Sequence, residues 1–246
     1  MKLQFKIQSF QTEAAESVVK VFAGQPNYGV SRYRRDVGTT KPKPIPAQGS
    51  MFEDETEQTM EEFETAYRNA DVEVTREQLL KNIRGVQMAN NIKLSNELVQ
   101  GLGAVSLDVE METGTGKTYV YLKTMFELHK AYGWSKFIVV VPSIAIREGV
   151  KKTFEITQEH FMELYGLKAR FFVYNSSNLH QLDEFSQNSG INVMIINTQA
   201  FNTTLNEEKN VEGRSGNEAA RIIYTKRDEF GSRRPIDVIK ANRPII

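Results

Sequence analysis

Cysteine is absent from all 246 residues, which excludes disulfide staples and thiolate metal sites. Histidine is scarce as well: His129, His160 and His180 stand apart, without metal-ligand spacing. Neither sign of charge is in excess. With 31 Lys plus Arg against 31 Asp plus Glu, no global basic footprint advertises nucleic acid, so any such contact has to be local. No apolar run approaches the roughly 20 residues that cross a bilayer, and the start MKLQFKIQSF lacks the apolar core of a signal peptide. These absences lead us to expect a cytoplasmic protein with no membrane partner. What remains is an ordinary globular composition, 40% hydrophobic, enough to build one large core or two small ones.

The most informative stretch is Val105 to Lys123, VSLDVEMETGTGKTYVYLK. Val105, Leu107 and Val109 predict a strand, Thr113-Gly114-Thr115-Gly116 a Gly-rich turn, and Lys117-Thr118 the opening of a helix. Without Cβ atoms, Gly114 and Gly116 let the backbone fold back and aim several N–H groups at one anion, at the positive end of the following helix. Lys117 would add a mobile charge for the outer phosphates of a nucleoside triphosphate, and Thr118 a hydroxyl for Mg²⁺. The phosphate-loop pattern asks for Gly at its first position, where this chain has Met111. A chance Gly-rich turn is the competing reading, and the flanking strand and helix argue against it.

Upstream, residues 1–23 read as a short strand-like start and an amphipathic helix, with Ala14, Val18 and Phe22 sharing a face with Ala15 and Val19. Gln11 follows Phe10 at the helix entrance. Its amide can donate and accept at once, which suits an adenine edge but also an ordinary helix start. Residues 24–102 read as an insertion. Arg32, Arg34 and Arg35 are a basic cluster, either solvated or in touch with phosphates. Thr39 to Gly49, TTKPKPIPAQG, is too rich in proline for a helix and reads as a mobile linker, and the glutamates between Phe52 and Glu64 predict a solvated acidic helix. Thr75 to Leu102 predicts a further helix, capped by Thr75, with Leu79, Leu80, Ile83, Val86 and Met88 in near-helical spacing.

From residue 103 to 246 the pattern alternates. A helix over Tyr119 to Tyr132 ends at Gly133; Lys136 to Val141 is a strand buried on both faces; Pro142-Ser143 starts a helix carrying Ile146, Val150 and Phe154 to Leu164; Arg170 to Tyr174 and Ile191 to Ile196 are two more strands. Strands separated by helices predict an α/β fold, a parallel sheet with helices on both faces. Ligands in such sheets bind beyond the carboxyl ends of the strands, which singles out residues 111–118, 142–147, 175–178 and 197–202. Pro142, Ser143 and Arg147 could cradle a phosphate backbone, or Ser143 could simply cap its helix. Asn197, Thr198 and Gln199 could touch a ligand or form a polar loop.

Taken together, Phe10-Gln11, METGTGKT at Met111 to Thr118, VVVPSIAIREGV at Val139 to Val150 and INTQAFN around Asn197 resemble the first, RecA-like motor lobe of superfamily 2 helicases. Within that group the chain is most similar to the Res subunit of Type III restriction–modification enzymes. The resemblance implies a helicase or translocase that couples ATP hydrolysis to movement on double-stranded DNA and to cleavage, beside a modification methyltransferase subunit. It further implies that Gln11 contacts adenine and that Thr113, Gly114, Thr115, Gly116, Lys117 and Thr118 hold ATP and Mg²⁺. Pro142, Ser143 and Arg147, with Thr198 and Gln199, would then lie on the nucleic-acid backbone.

One element of that family is missing. The motor needs Asp-Glu at the end of an apolar strand, Asp for Mg²⁺ and Glu for the attacking water. Neither Asp183-Glu184 nor Asp228-Glu229 follows an apolar run, the stretches before them, SNLHQL and YTKR, being largely polar. Arg243-Pro244-Ile245-Ile246 reads as the opening of the strand that would carry the pair. We therefore expect a lobe truncated before its catalytic carboxylates, with an incomplete sheet, that binds ATP without turning it over. A self-standing ATP- or DNA-binding module, another superfamily 2 helicase and a small phosphate-loop kinase are the alternatives.

Overall fold

A computed structural model describes residues 5–38, 63–99, 103, 105–201 and 222–246. In chain order these form α1 (Ser9–Val21), β1 (Ser31–Asp36), β2 (Phe63–Arg68), α2 (Arg76–Ala89), α3 (Lys117–Tyr132), β3 (Lys136–Val141), α4 (Ile144–Tyr165), β4 (Arg170–Val173), α5 (His180–Gln187), β5 (Asn192–Asn197) and α6 (Pro235–Ala241). The last three strands make a parallel sheet in the order β3-β5-β4. Successive side chains of a strand point to opposite faces, and here both faces are apolar. Val193 and Ile195 of β5 face a core built with Leu122 and Phe126 of α3 and Phe154 and Phe161 of α4. Met194 and Ile196 face the opposite core, with Leu182 and Phe185 of α5 and Val238 and Ile239 of α6. The parallel α/β arrangement expected from the alternating pattern is what forms.

Local signals set most boundaries. Thr75 accepts a hydrogen bond from the N–H of Gln78 (3.2 Å) at the start of α2, and Ser143 accepts one from Ile146 (3.3 Å) at the start of α4. Gly133 and Gly166, both left-handed, end α3 and α4. Among the described residues no helix is long and apolar enough to cross a membrane.

Four expectations need correction. The strand leading into the phosphate loop is not formed: residues 105–112 have no strand partner among the described residues, although Val105 and Leu107 still pack on the α3–α4 core and Val109 is 50% exposed. A strand exists only with a hydrogen-bonded neighbour. The outer edge of β3 is engaged at its start by Ile245, whose N–H donates to Lys136 O (3.0 Å) and whose carbonyl accepts from Ile138 N (2.8 Å). Second, the basic cluster is strand rather than solvated linker. β1 pairs antiparallel with β2, and Arg35, 3% exposed, is ion-paired to Glu64 (2.7 Å) and to Asp183 of α5. Arg32 and Arg34 are exposed, as alternation along a half-buried strand requires. The Pro-rich stretch and the acidic stretch up to residue 62 lie outside the described residues; Glu64, expected in a helix, is in β2. Third, α2 stops at Asn90, well short of Leu102, and Met88 is 67% exposed. Finally, burial is incomplete on two expected core faces: Val140 of β3 and Ile146 of α4 are exposed.

Two polar clusters tie the hairpin to the sheet. Asp183 accepts from Arg233 through both carboxylate oxygens (3.0 Å each) in addition to Arg35, and Glu64 also accepts from Gln187 (2.6 Å). The Arg35 guanidinium, with the Gln187 amide, holds the Glu64 carboxyl below its usual pKa. At the end of β2, buried Asn69 accepts from Ser135 N (2.7 Å) and Lys136 N (2.9 Å) and donates to Lys136 O (2.8 Å) and Arg243 O (3.0 Å).

Lys136, at the first position of β3, is fully buried and donates to the carbonyls of Phe185 and Asn188 at the carboxyl end of α5. Burial pushes its pKa down from 10.5 to about 7. Between those values the unfolded chain binds a proton that the folded chain does not, so stability rises with pH across that window and is lost as pH falls through 7. Relative to Lys136→Met, the native chain should gain about 1 kcal/mol per pH unit between pH 8 and 10 in urea unfolding; parallel profiles for the two proteins would refute this.

Candidate nucleotide site and strand-end face

The phosphate loop closes on itself at Thr115, whose hydroxyl and N–H both donate to Glu112 O (2.7 and 3.5 Å). Gly114 (φ +84°) and Gly116 (φ +85°) on either side are left-handed, a conformation that costs an L-residue about 1–2 kcal/mol. Lys117 opens α3, exposed and without an ion-pair partner among the described residues; Thr113 is exposed and Thr118 half-buried beside it. α3 has no side-chain cap, so the N–H groups of its first turn remain available to an external acceptor. Two left-handed glycines flanking Thr115, uncapped N–H groups, a free ammonium and a hydroxyl form a donor set of the kind that a magnesium-bound polyphosphate requires.

Gln11 reaches this loop from 104 residues away, its Nε2 donating to the carbonyl of Thr115 (2.9 Å). The contact also explains Gly116, since a Cβ there would lie 2.7 Å from Gln11 Nε2. Phe10, its sequence neighbour, stays exposed. α1 is fastened along α3 by two further bonds: Lys123 Nζ donates to Thr12 Oγ1 (2.8 Å), and Tyr132 OH donates to Val19 O (2.9 Å). Lys123 is 5% exposed, and sequence reasoning passed over it. The signal was there, a lysine set into the buried stripe of Tyr119, Leu122 and Phe126. Beside it, Phe5 packs against Tyr119 and His160 (centroids 6.4 and 5.1 Å), and Tyr119 OH is 2.8 Å from His160 Nε2. Burial holds the His160 pKa below its ordinary value, with the Lys123 charge acting in the same direction against Glu163.

The strand-end residues form a second group. Val141 of β3 is in register with Asn197 of β5, which places Pro142-Ser143 and Thr198-Gln199 side by side on the carboxyl edge of the sheet. Pro142 and Gln199 are exposed, and Thr198 starts a short 3₁₀ turn to Ala200. Ser143 is engaged as the α4 cap, and Arg147 donates to Glu148 through Nε (3.1 Å) and Nη2 (2.9 Å). At the third strand end, Asn175 Oδ1 accepts from Ser177 N (3.0 Å), so that loop is a turn held by its own side chain. Neither Asp-Glu step ends a strand: Asp183 binds two arginines within α5, and Asp228 accepts from Ser232 (3.1 Å) in a 3₁₀ turn.

A sequence model of the family described as "Type III restriction enzyme, res subunit" matches residues 81–224. The Type III restriction-modification enzyme EcoPI Res subunit of Escherichia phage P1 is 34% identical over 155 residues, which are 58% of this chain and 16% of that protein. The EcoP15I Res subunit of Escherichia coli is 37% identical over 110 residues, 44% of this chain and 11% of that protein. The StyLTI Res subunit of Salmonella typhimurium is 40% identical over 116 residues, 40% of this chain and 12% of that protein. The matched region is thus a sixth or less of the length of each relative. Because the family match spans more than half of this chain and falls on a parallel sheet covered by helices on both faces, the chain belongs to the Type III restriction enzyme Res subunit family, whose lobe here has the RecA-like helicase fold.

Proposed function

We propose that this chain forms the ATP site, and part of the DNA-contact surface, of a Type III restriction helicase or translocase subunit. In that protein ATP hydrolysis would be coupled to movement on double-stranded DNA and to its cleavage, in company with a modification methyltransferase subunit. The observation that carries the reading is the hydrogen bond from Gln11 to Thr115, because it joins a base-reading amide to the phosphate loop. Lys117 would hold the outer phosphates and Thr118 the Mg²⁺, with backbone N–H groups from Thr113 to Gly116 around them. The carbonyl of Thr115 fixes which end of the Gln11 amide faces it, leaving Oε1 to accept from the exocyclic amine of adenine. Guanine presents a carbonyl oxygen at that position and would be disfavoured.

Pro142, Ser143 and Arg147, with Thr198 and Gln199 alongside, would contact the DNA backbone. Arg147 would have to leave Glu148, an exposed pairing of the kind worth under about 1 kcal/mol. Turnover is a separate matter. With Asp183 and Asp228 both engaged elsewhere, the described residues offer no carboxylate pair to hold Mg²⁺ and orient water, so the 246-residue chain should bind without hydrolysing.

Three measurements test this. Lys117→Ala should weaken ATP binding at least about tenfold by calorimetric titration in the presence of Mg²⁺; unchanged affinity would remove its phosphate role. Gly116→Ala should also lose about tenfold, since it adds backbone strain and a clash with Gln11. Phosphate release by the wild-type chain should stay at the buffer rate, and steady hydrolysis abolished by Lys117→Ala would overturn the binding-only assignment.

A further inference from the structure

Lys123 has no role in the nucleotide site as described. It lies six residues beyond Lys117, about 9 Å along the α3 axis, and faces α1 rather than solvent. Its place in the stripe is costly, because a buried ammonium finds here a hydroxyl and, among the described residues, no carboxylate. A leucine or methionine would fill the same space without that cost. Docking of the two helices does not need it either. Val18, Val19 and Val21 of α1, with Phe22 just after it, already pack into the core that includes α3, and Tyr132 fixes the far end of α1 through Val19.

What the lysine does is local to one turn. Thr12 accepts from Lys123 and passes its own hydroxyl hydrogen to Gln8 O (3.3 Å), the residue that caps α1. Gln8 makes no side-chain cap, so the first turn of α1 is closed by the Thr12 N–H to Gln8 O bond (3.2 Å), and the Lys123–Thr12–Gln8 chain is what adds a tie from that turn to α3. Gln11 sits in that turn, next to Thr12. We infer that Lys123 and Thr12 are positioning residues for base selection: by fixing the first turn of α1 on α3 they hold the Gln11 amide against Thr115 and so set the preference for adenine. This rests on the reading of the loop as an ATP site. Neither residue belongs to the loop that would hold the phosphates, and both act through Gln11. Their loss should therefore leave the phosphate grip intact and remove only what the base contributes.

The test is competition of ATP and GTP, each with Mg²⁺, against a fluorescent ATP analogue on the full 246-residue chain. Wild type should prefer ATP. In Thr12→Val and in Lys123→Met the ATP affinity should fall five- to tenfold while GTP affinity stays within twofold, so that the preference collapses. Thr12→Ser, which keeps the hydroxyl, should retain it. A purely structural role would lower both affinities together, or only the melting temperature, and that result would overturn the inference. So would an undiminished preference in either folded variant. If wild type binds neither nucleotide, the reading of the site fails first and the inference falls with it; if wild type prefers ATP and the variants do too, only the inference falls.

Discussion

Buried Asn69 decides where three separated pieces of chain meet. Its side-chain oxygen takes the N–H groups of Ser135 and Lys136, its nitrogen serves the carbonyls of Lys136 and Arg243, and its own backbone N–H donates to Asn242. Each bond is individually modest, about 1 kcal/mol net, but leaving those buried backbone groups unmade would cost more than making them yields. With the end of β2, the entry to β3 and the segment leading to Ile245 clipped together, β3 has a fixed starting point. The register of β5 on β3 then places the loops after both strands side by side. The surface proposed for DNA contact is thus a downstream result of a contact at the opposite end of the sheet.

A different constraint organises the nucleotide side. There the loop is held through backbone atoms: Thr115 by its carbonyl, Gly114 and Gly116 by their left-handed dihedral angles. Side-chain identity matters little at such positions, except where a Cβ would intrude. Gly116 is such a position twice over, for its φ and for the approach of Gln11. In the proposed reading, phosphate would be held by N–H groups and the base by one amide, which needs few residues, and so the candidate site fits between Gln11 and Thr118 once α1 lies on α3.

The parts legible in the sequence were those whose cause is local. β5 is a continuous apolar run, α3 ends where Gly133 can turn left-handed, and α4 begins where Ser143 can cap it, so each could be read within a few residues. β1 could not, because what makes Arg35 a buried residue is Asp183, 148 residues further on, together with Glu64 across the hairpin. The strand expected before the phosphate loop failed for a related reason: its side chains have the right pattern, but a ladder needs a neighbour that side-chain pattern cannot supply. Among the site residues, the loop glycines and Lys117 were legible from spacing alone. Gln11 was ambiguous until its partner was seen, and Lys123 looked like an irregularity in a core stripe. The other candidate residues came from the family resemblance, and the match over residues 81–224 supports the family rather than their individual roles.

The unpaired approach to the phosphate loop has a mechanical side. Among the described residues, 105–112 reach the loop with no strand ladder to resist bending, held by the packing of Val105 and Leu107 and by the bonds from Thr115 to Glu112 O. Stiffness at the loop must therefore come from the other direction, from α3 and from α1 through Gln11. With no ladder on that side, a load on the loop would pass through Gln11 to α1 before it reached the sheet. The amino-terminal helix, and not the strand that precedes the loop in sequence, is the element whose motion would report that the loop has closed on something.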